Sequence, residues 1–188
     1  MKRIVLIFGL ISGFISSGLM LLTVPLVNNG TINNHNGEIL GYTAIFLSFL
    51  LVFFGIRSYR ENKGGGTITF GRAFSVGILI TLISCFFYVA TWEIVYFQFK
   101  FAPDFLDKYA AREIATMREK GVPEATIAAK KKEMETMKEM YNNNLLFNAG
   151  MTFIEPFPVG LVITLVSAAV LRRKPQSPPA QAPLPASS

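Results

Sequence analysis

Residues 4–27 read IVLIFGLISGFISSGLMLLTVPLV and form the first long apolar run of the chain. Its 24 positions carry no formal charge, and a helix needs about 20 apolar residues to cross a hydrocarbon core. The run exceeds the ~7–15 apolar residues usual in a secretory signal peptide, and no Ala-x-Ala cleavage site follows it. We therefore predict a first membrane-spanning helix, with a cleaved signal peptide as the weaker alternative.

The rest of the chain also has the composition of a membrane protein. Of its 188 residues, 51% are hydrophobic and 16% are charged, whereas an average soluble domain has about a quarter charged residues. Seventeen of the 30 charged residues lie between Gln98 and Asn144, which leaves 13 for the other 141 positions. A soluble globule with so few charges would expose large apolar patches. We therefore predict an all-α integral membrane protein embedded in a lipid bilayer.

Three more apolar runs follow the first. The four predicted spans are residues 4–27, 39–56, 73–97 and 145–171. The third span ends in aromatic residues, including Tyr88 and Trp92, whose pattern is typical of an interfacial belt. The fourth is interrupted by Glu155-Pro156-Phe157-Pro158. Residues 175–188 are rich in Pro, Ala and Ser and are predicted to be disordered.

Basic residues beside the spans predict the orientation. Nine lie on the side of the termini, and nine lie in the segment between spans three and four, where eight acids accompany them. Charges near helix ends weigh most, and the first nine all lie there, so we predict that both termini are cytoplasmic. These nine are Lys2, Arg3, Arg57, Arg60, Lys63, Arg72, Arg172, Arg173 and Lys174.

The charged segment between spans three and four predicts a helical hairpin outside the membrane, at about residues 104–141. Apolar residues from Phe105 to Met117 recur at steps of three and four, which is typical of an amphipathic helix. Gly121-Val122-Pro123 then breaks the chain, and a weaker apolar stripe runs from Ile127 to Tyr141.

Two carboxylates within the predicted spans, Glu93 and Glu155, are the sharpest candidate site, because an intramembrane charge is costly and suggests a function. At ~1.5 Å per residue, Glu93 lies near the outer boundary and Glu155 deeper in the outer half. If spans three and four are antiparallel neighbours, both acids reach similar heights and can share a proton. The structural alternative, which we favour, is that Glu93 reaches the headgroups and Glu155 caps the break at Pro156. Salt bridges to the loop are a third interpretation.

A stripe of small residues marks the first span. Gly9, Gly13 and Ser17 recur at steps of four, and small residues let helices approach closely in lipid. We predict that this stripe packs on another helix of the same chain. Homodimerisation is the open alternative.

Residues for enzymatic chemistry are scarce. One cysteine, Cys85, and one histidine, His35, cannot build a disulfide framework or a structural zinc site. Gly64-Gly65-Gly66 lacks the Lys-Ser/Thr that follows in a phosphate loop. We therefore expect no catalytic residue, no metal and no cofactor. The net charge of +6 comes from basic clusters beside the spans, so we expect no nucleic-acid partner.

Several short motifs occur together along the chain. They are NGEILGYT (36–43), FGIRSYR (54–60), ITFGRAF (68–74), PDFLDKY (103–109), FPVG (157–160) and the closing LRRK (171–174). By their order and spacing, residues 1–174 resemble the bacterial membrane family called domain of unknown function 4199. The resemblance implies a small four-span inner-membrane protein and implies no activity.

Our expectation about the function rests on the length of the charged segment between spans three and four. Its 47 residues are far more than a connection between two helices needs, so we expect a non-enzymatic accessory or scaffold protein that binds another envelope protein through the hairpin. One alternative is a small proton- or cation-linked transporter or channel that uses Glu155 and Glu93. The other is a hairpin that lies on the outer leaflet and senses lipid.

Overall fold

The structure, a computed structural model, describes residues 1–32, 34–99 and 104–173. These residues are helical apart from short turns and one isolated bridge, which confirms the predicted all-α class. Lys174 and the predicted disordered tail lie outside the described residues. The helices are α1 (Lys2–Asn28), α2 (Asn34–Lys63), α3 (Phe70–Glu93, continued by a π-helical turn at Ile94–Gln98), α4 (Phe105–Glu119), α5 (Glu124–Asn143), α6 (Leu145–Ile154) and α7 (Pro156–Leu171).

Four helical segments are long and apolar enough to cross a membrane, as predicted. They are Lys2–Val27, Ile39–Lys63, Phe70–Gln98 and Leu145–Leu171. The second and third are longer than the predicted apolar runs, because α2 continues past Arg57 to Lys63 and α3 begins before Arg72. Large apolar side chains cover the outside of the bundle; Leu22 and Phe86, for example, are 67% and 72% exposed. A surface of this kind suits contact with lipid.

Helix α3 lies at the centre of the bundle and packs on α1, α2, α6 and α7. Its Val76 and Ile80 are fully buried against Val52 and Ile56 of α2. Hydroxyl groups also join the helices: Ser12 of α1, for example, donates to the Ser48 carbonyl of α2 at 2.9 Å. Such interhelical hydrogen bonds and close packing are what hold helices together in lipid, where apolar burial supplies little net driving force.

The small-residue stripe of α1 packs against α3 within the chain. A Cβ atom at Gly9 or Gly13 would lie 2.8 or 2.7 Å from a side-chain atom of α3. Ser84 of α3 donates to the Gly9 carbonyl at 3.1 Å. Ser17 is 4% exposed, and its hydroxyl has no hydrogen-bond partner among the described residues. The Gly9–Gly13 face is therefore occupied by α3 and is not open to a second copy.

The bundle has two chemically different ends. The end formed by the start of α1, the end of α2, the start of α3 and the end of α7 is here named the basic end. Its segments 1–10, 55–75 and 165–173 contain one acidic residue, Glu61. The opposite end carries α4 and α5, which pack side by side, with α5 also packed on α6. We name α4 and α5 the hairpin; its turn contains Gly121 at φ 69°.

The break predicted in the fourth span occurs at Glu155, between α6 and α7. Pro156 is the first residue of α7, where its missing N–H costs no intrahelical hydrogen bond. The Glu155 side chain makes no capping hydrogen bond. Glu155 therefore occupies the cap position of α7, as the sequence predicts, but its carboxylate does not satisfy the backbone groups freed at the break.

Candidate functional site

A cavity of about 620 Å³ opens at the hairpin end, between the membrane helices and the hairpin. Its lining combines five aromatic side chains with one carboxylate and one guanidinium. Ligand sites in proteins are commonly apolar cavities with a few convergent polar groups, which makes this cavity the candidate functional site. The aromatic and polar lining residues used below are Tyr42, Tyr88, Trp92, Tyr109, Arg112, Tyr141, Thr152 and Glu155.

Glu155 is the acidic group of this cavity. Tyr88 of α3 donates its hydroxyl to Glu155 Oε2 at 3.1 Å and is its one hydrogen-bond partner among the described residues. Tyr88 is 6% exposed, whereas Glu155 is exposed towards the cavity. A carboxylate can accept about four hydrogen bonds, so Glu155 retains acceptor capacity for a ligand.

Glu93 lies outside the cavity lining. Both of its carboxylate oxygens are buried, and neither has a hydrogen-bond partner among the described residues. Glu93 and Glu155 therefore share no hydrogen bond. Glu155 lines the cavity, whereas Glu93 is half-buried outside its lining, and the shared proton stays a prediction.

Four polar side chains tie the hairpin to the bundle in what we name the Tyr141 network: Trp92, Tyr141, Thr152 and Asn148. Trp92 Nε1 donates to the Tyr141 hydroxyl at 2.7 Å, and that hydroxyl lies 3.4 Å from Thr152 Oγ1. Thr152 donates to Asn148 Oδ1 at 3.3 Å, and Asn148 Nδ2 donates back to the Tyr141 carbonyl at 3.2 Å. The network therefore connects α3, α5 and α6 beside the cavity.

The protonation of Tyr141 fits its place in this network. Burial raises the pKa of Tyr141 to about 12, against the opposing effect of its hydrogen bonds with Thr152 and Trp92. Its hydroxyl thus keeps its proton at neutral pH. It can accept from Trp92 and donate to Thr152, because Thr152 uses its own proton on Asn148.

The predicted aromatic belt is only partly correct. Tyr88 and Trp92 are each 6% exposed and line the cavity instead of facing lipid, whereas Phe99 is 73% exposed. Sequence reasoning also missed Asn148 and Thr152. The sequence pattern that could have identified them is their spacing: they are two polar residues four positions apart in the otherwise apolar α6, which places both on one helix face.

The predicted topology residues gather at the basic end. Arg57 Nε lies 2.9 Å from Glu61 Oε1, and Arg60 Nη2 lies 3.3 Å from the same oxygen. Arg72 lies over the ring of Tyr59 at 6.0 Å. The single acid of this end is therefore already paired, and the remaining basic groups are left in excess.

Across residues 1–32, 34–99 and 104–173, no group of three or more His, Cys, Asp or Glu side chains could hold an ion. Cys85 is buried and forms no disulfide within the described residues.

The four apolar helices define a multi-pass helical membrane protein. The chain belongs to the family described as Protein of unknown function (DUF4199), which matches residues 7–173. This confirms the resemblance drawn from the motifs. No curated protein and no solved structure matches the chain.

Proposed function

We propose that this protein is a non-enzymatic accessory protein of the bacterial inner membrane, and that its hairpin binds another envelope protein on the outer face. The observation that carries the proposal is the open groove of about 850 Å³ between α4 and α5. Connecting two membrane spans does not require an open groove between two helices, so the groove favours a binding role for the hairpin.

The hairpin is packed too sparsely to close this groove by itself. Among the described side chains of α4 and α5, Ile127 alone is buried, at 3% exposure. Leu106, Ile114, Met134 and Met137 line the groove, and Met137 is 36% exposed. Grooves of this kind accept the apolar face of an amphipathic helix, and methionine side chains adapt to such partners. The proposed occupant is therefore an amphipathic helix of the partner.

Charges of both signs border the groove and favour a partner of mixed charge. Lys138 pairs with Asp107 across the two helices, and Arg118 Nε lies 3.4 Å from Glu124 Oε1. Exposed pairs of this kind contribute little stability, so a partner helix can replace them at small cost. Alternating charges also fix the register of a bound helix.

Copurification tests the proposal. After brief crosslinking and extraction in neutral detergent, we expect the full chain to retain a stoichiometric partner and a variant lacking residues 104–141 to lose it while still inserting. Met137→Asp should reduce recovery at least tenfold. Met140→Asp is the matched control, because Met140 is 42% exposed but does not line the groove. Retention of every partner by both the deletion and Met137→Asp would contradict the proposal.

A second candidate function, cation-linked binding or transport, is favoured by the cavity. Five aromatic rings and the Glu155 carboxylate line it, and aromatic faces together with a carboxylate are the groups that recognise organic cations. Glu155 is the residue that would contact the cation. Arg112, on the hairpin, also lines the cavity and would disfavour a small cation bound near it, so the candidate ligand is a bulky organic cation held by the rings.

The single tryptophan of the chain, Trp92, lines this cavity and reports directly on occupancy. We expect tetraethylammonium to change the Trp92 fluorescence of the purified protein saturably, and Glu155→Gln to weaken that binding at least tenfold. Glu93→Gln, which removes an acid outside the cavity, should leave it unchanged. An absent response, or an equal affinity in Glu155→Gln, would eliminate the cation function.

A further inference from the structure

A second cleft, of about 540 Å³, lies at the basic end. It is formed by the end of α2, the connection to α3, the first turns of α3 and Arg173 beyond α7. Ile68 and Arg173 pair as an isolated antiparallel bridge, with N–H to O distances of 3.0 and 2.8 Å. This bridge joins the connection between α2 and α3 to the residue that follows α7, and it holds the Arg173 backbone in the wall of the cleft.

The charged groups of the cleft are all positive. Arg72 and Arg173 line it, no acidic side chain does, and neither guanidinium forms an ion pair within the described part of the chain. Glu61, the acid of the basic end, is held by Arg57 and Arg60. Two arginine residues thus line one cleft, with the Arg72 guanidinium over the ring of Tyr59, which also lines it. Guanidinium groups suit an anion with several oxygen atoms, because each offers a planar set of donors.

Neutral donors complete the cleft. Thr69 accepts a hydrogen bond from the Arg72 backbone N–H at 3.3 Å, so its own hydroxyl proton is left to donate. Gly71, in the first turn of α3, also lines the cleft, and a Cβ there would meet nothing within 4 Å. A ligand can therefore approach Gly71 without meeting a side chain, near the positive end of the α3 dipole.

We propose that this cleft binds the phosphate group of an anionic ligand. The cleft suits a phosphate better than a carboxylate. Two arginines, one hydroxyl and the start of α3 offer more hydrogen-bond donors than the two oxygens of a carboxylate can use. Phe70 is 41% exposed beside the cleft and stacks with Phe74 at 6.3 Å. These rings offer an apolar surface next to the phosphate position, which suits a phospholipid with its headgroup in the cleft. Basic pockets between membrane helices are known to take such headgroups.

Binding to the full-length protein in neutral detergent tests this site with three probes. They are short-chain phosphatidylglycerol, short-chain phosphatidylcholine and inorganic phosphate. We expect saturable binding of phosphatidylglycerol that weakens with added salt and falls at least tenfold in the Arg72→Gln/Arg173→Gln variant. Arg172→Gln is the matched control, because Arg172 is an exposed neighbour outside the cleft and its loss should change affinity less than twofold.

Phosphatidylcholine tests the need for net negative charge: weaker binding than that of phosphatidylglycerol supports the site, and equal binding overturns it. The other two probes separate the sources of the phosphate. Stronger binding of phosphatidylglycerol than of inorganic phosphate identifies a lipid headgroup, whereas equal binding of both identifies a soluble phosphate compound; either result supports the site. Binding that is absent, or that falls equally in Arg172→Gln, overturns it. If the double variant is unstable, the single variants Arg72→Lys and Arg173→Lys replace it in the binding experiment, because they keep the positive charge. Loss of binding in these variants supports bidentate recognition of the phosphate by the guanidinium groups. Unchanged binding overturns that recognition.

Discussion

Replacing Asn148 with aspartate is expected to detach the hairpin from the bundle and to lower the free energy of unfolding by about 3–5 kcal/mol, the usual cost of an uncompensated buried charge. Asn148 is fully buried. Its Nδ2 donates to the Tyr141 carbonyl at 3.2 Å, and its Oδ1 accepts from Thr152 at 3.3 Å. Aspartate keeps the shape and the acceptor but removes the donor, and it sets a negative charge against a carbonyl oxygen.

Thermal unfolding in neutral detergent, combined with limited proteolysis near the α5–α6 junction, measures this effect. Asn143→Asp makes the same chemical change at an exposed position and is the matched control. We expect rapid cleavage and a lower unfolding temperature in Asn148→Asp alone. Equal stability of the two variants would show that the Tyr141 network does not hold the hairpin.

Replacing Gly160 with alanine is expected to destabilise the contact between α3 and α7 by about 1–3 kcal/mol, the usual cost of overpacking. A Cβ atom at this position would lie 2.5 Å from Thr81 Cγ2 and 2.9 Å from Phe49 Cζ. Thr81 cannot move away freely, because it is β-branched and its hydroxyl pairs with Thr164 Oγ1 at 3.0 Å. Phe49 is 1% exposed.

Gly150→Ala controls for the intrinsic preference of alanine for helices. Gly150 lies inside α6, and a Cβ there would meet nothing within 4 Å. The gain expected from this change is about 0.5–1 kcal/mol. The two variants should therefore shift the unfolding temperature in opposite directions. A Gly160→Ala variant as stable as the original chain would refute the close packing of α3 on α7.

The membrane architecture could be predicted from the sequence because it follows from a property of single segments. A charge-free run of 24 residues crosses a bilayer whatever its neighbours are. The interruption at Glu155-Pro156 was equally local, because proline cannot donate the hydrogen bond that a helix interior needs. The packing of Gly9 and Gly13 on α3 followed from residue size, although the partner helix could not be named.

The cavity could not be predicted, because it depends on which side of each helix end faces the bundle. Tyr88 and Trp92 have amphipathic side chains that suit a lipid interface and a polar cavity equally well. Tyr88 faces the cavity because it bonds to Glu155, 67 residues further along the chain, and Trp92 does so because it bonds to Tyr141, 49 residues further along. The height estimate for Glu93 and Glu155 had the same weakness, because similar depth does not place two side chains on facing surfaces.

Photo-crosslinking from the hairpin groove in living cells shows whether the groove binds a partner helix. A photoreactive residue at position 137 lies in the groove, and the same residue at position 140 is comparably exposed outside it. We expect a discrete protein adduct from position 137 and none from position 140. Equal protein adducts from both positions, or lipid adducts alone from position 137, would contradict a partner helix bound in the groove.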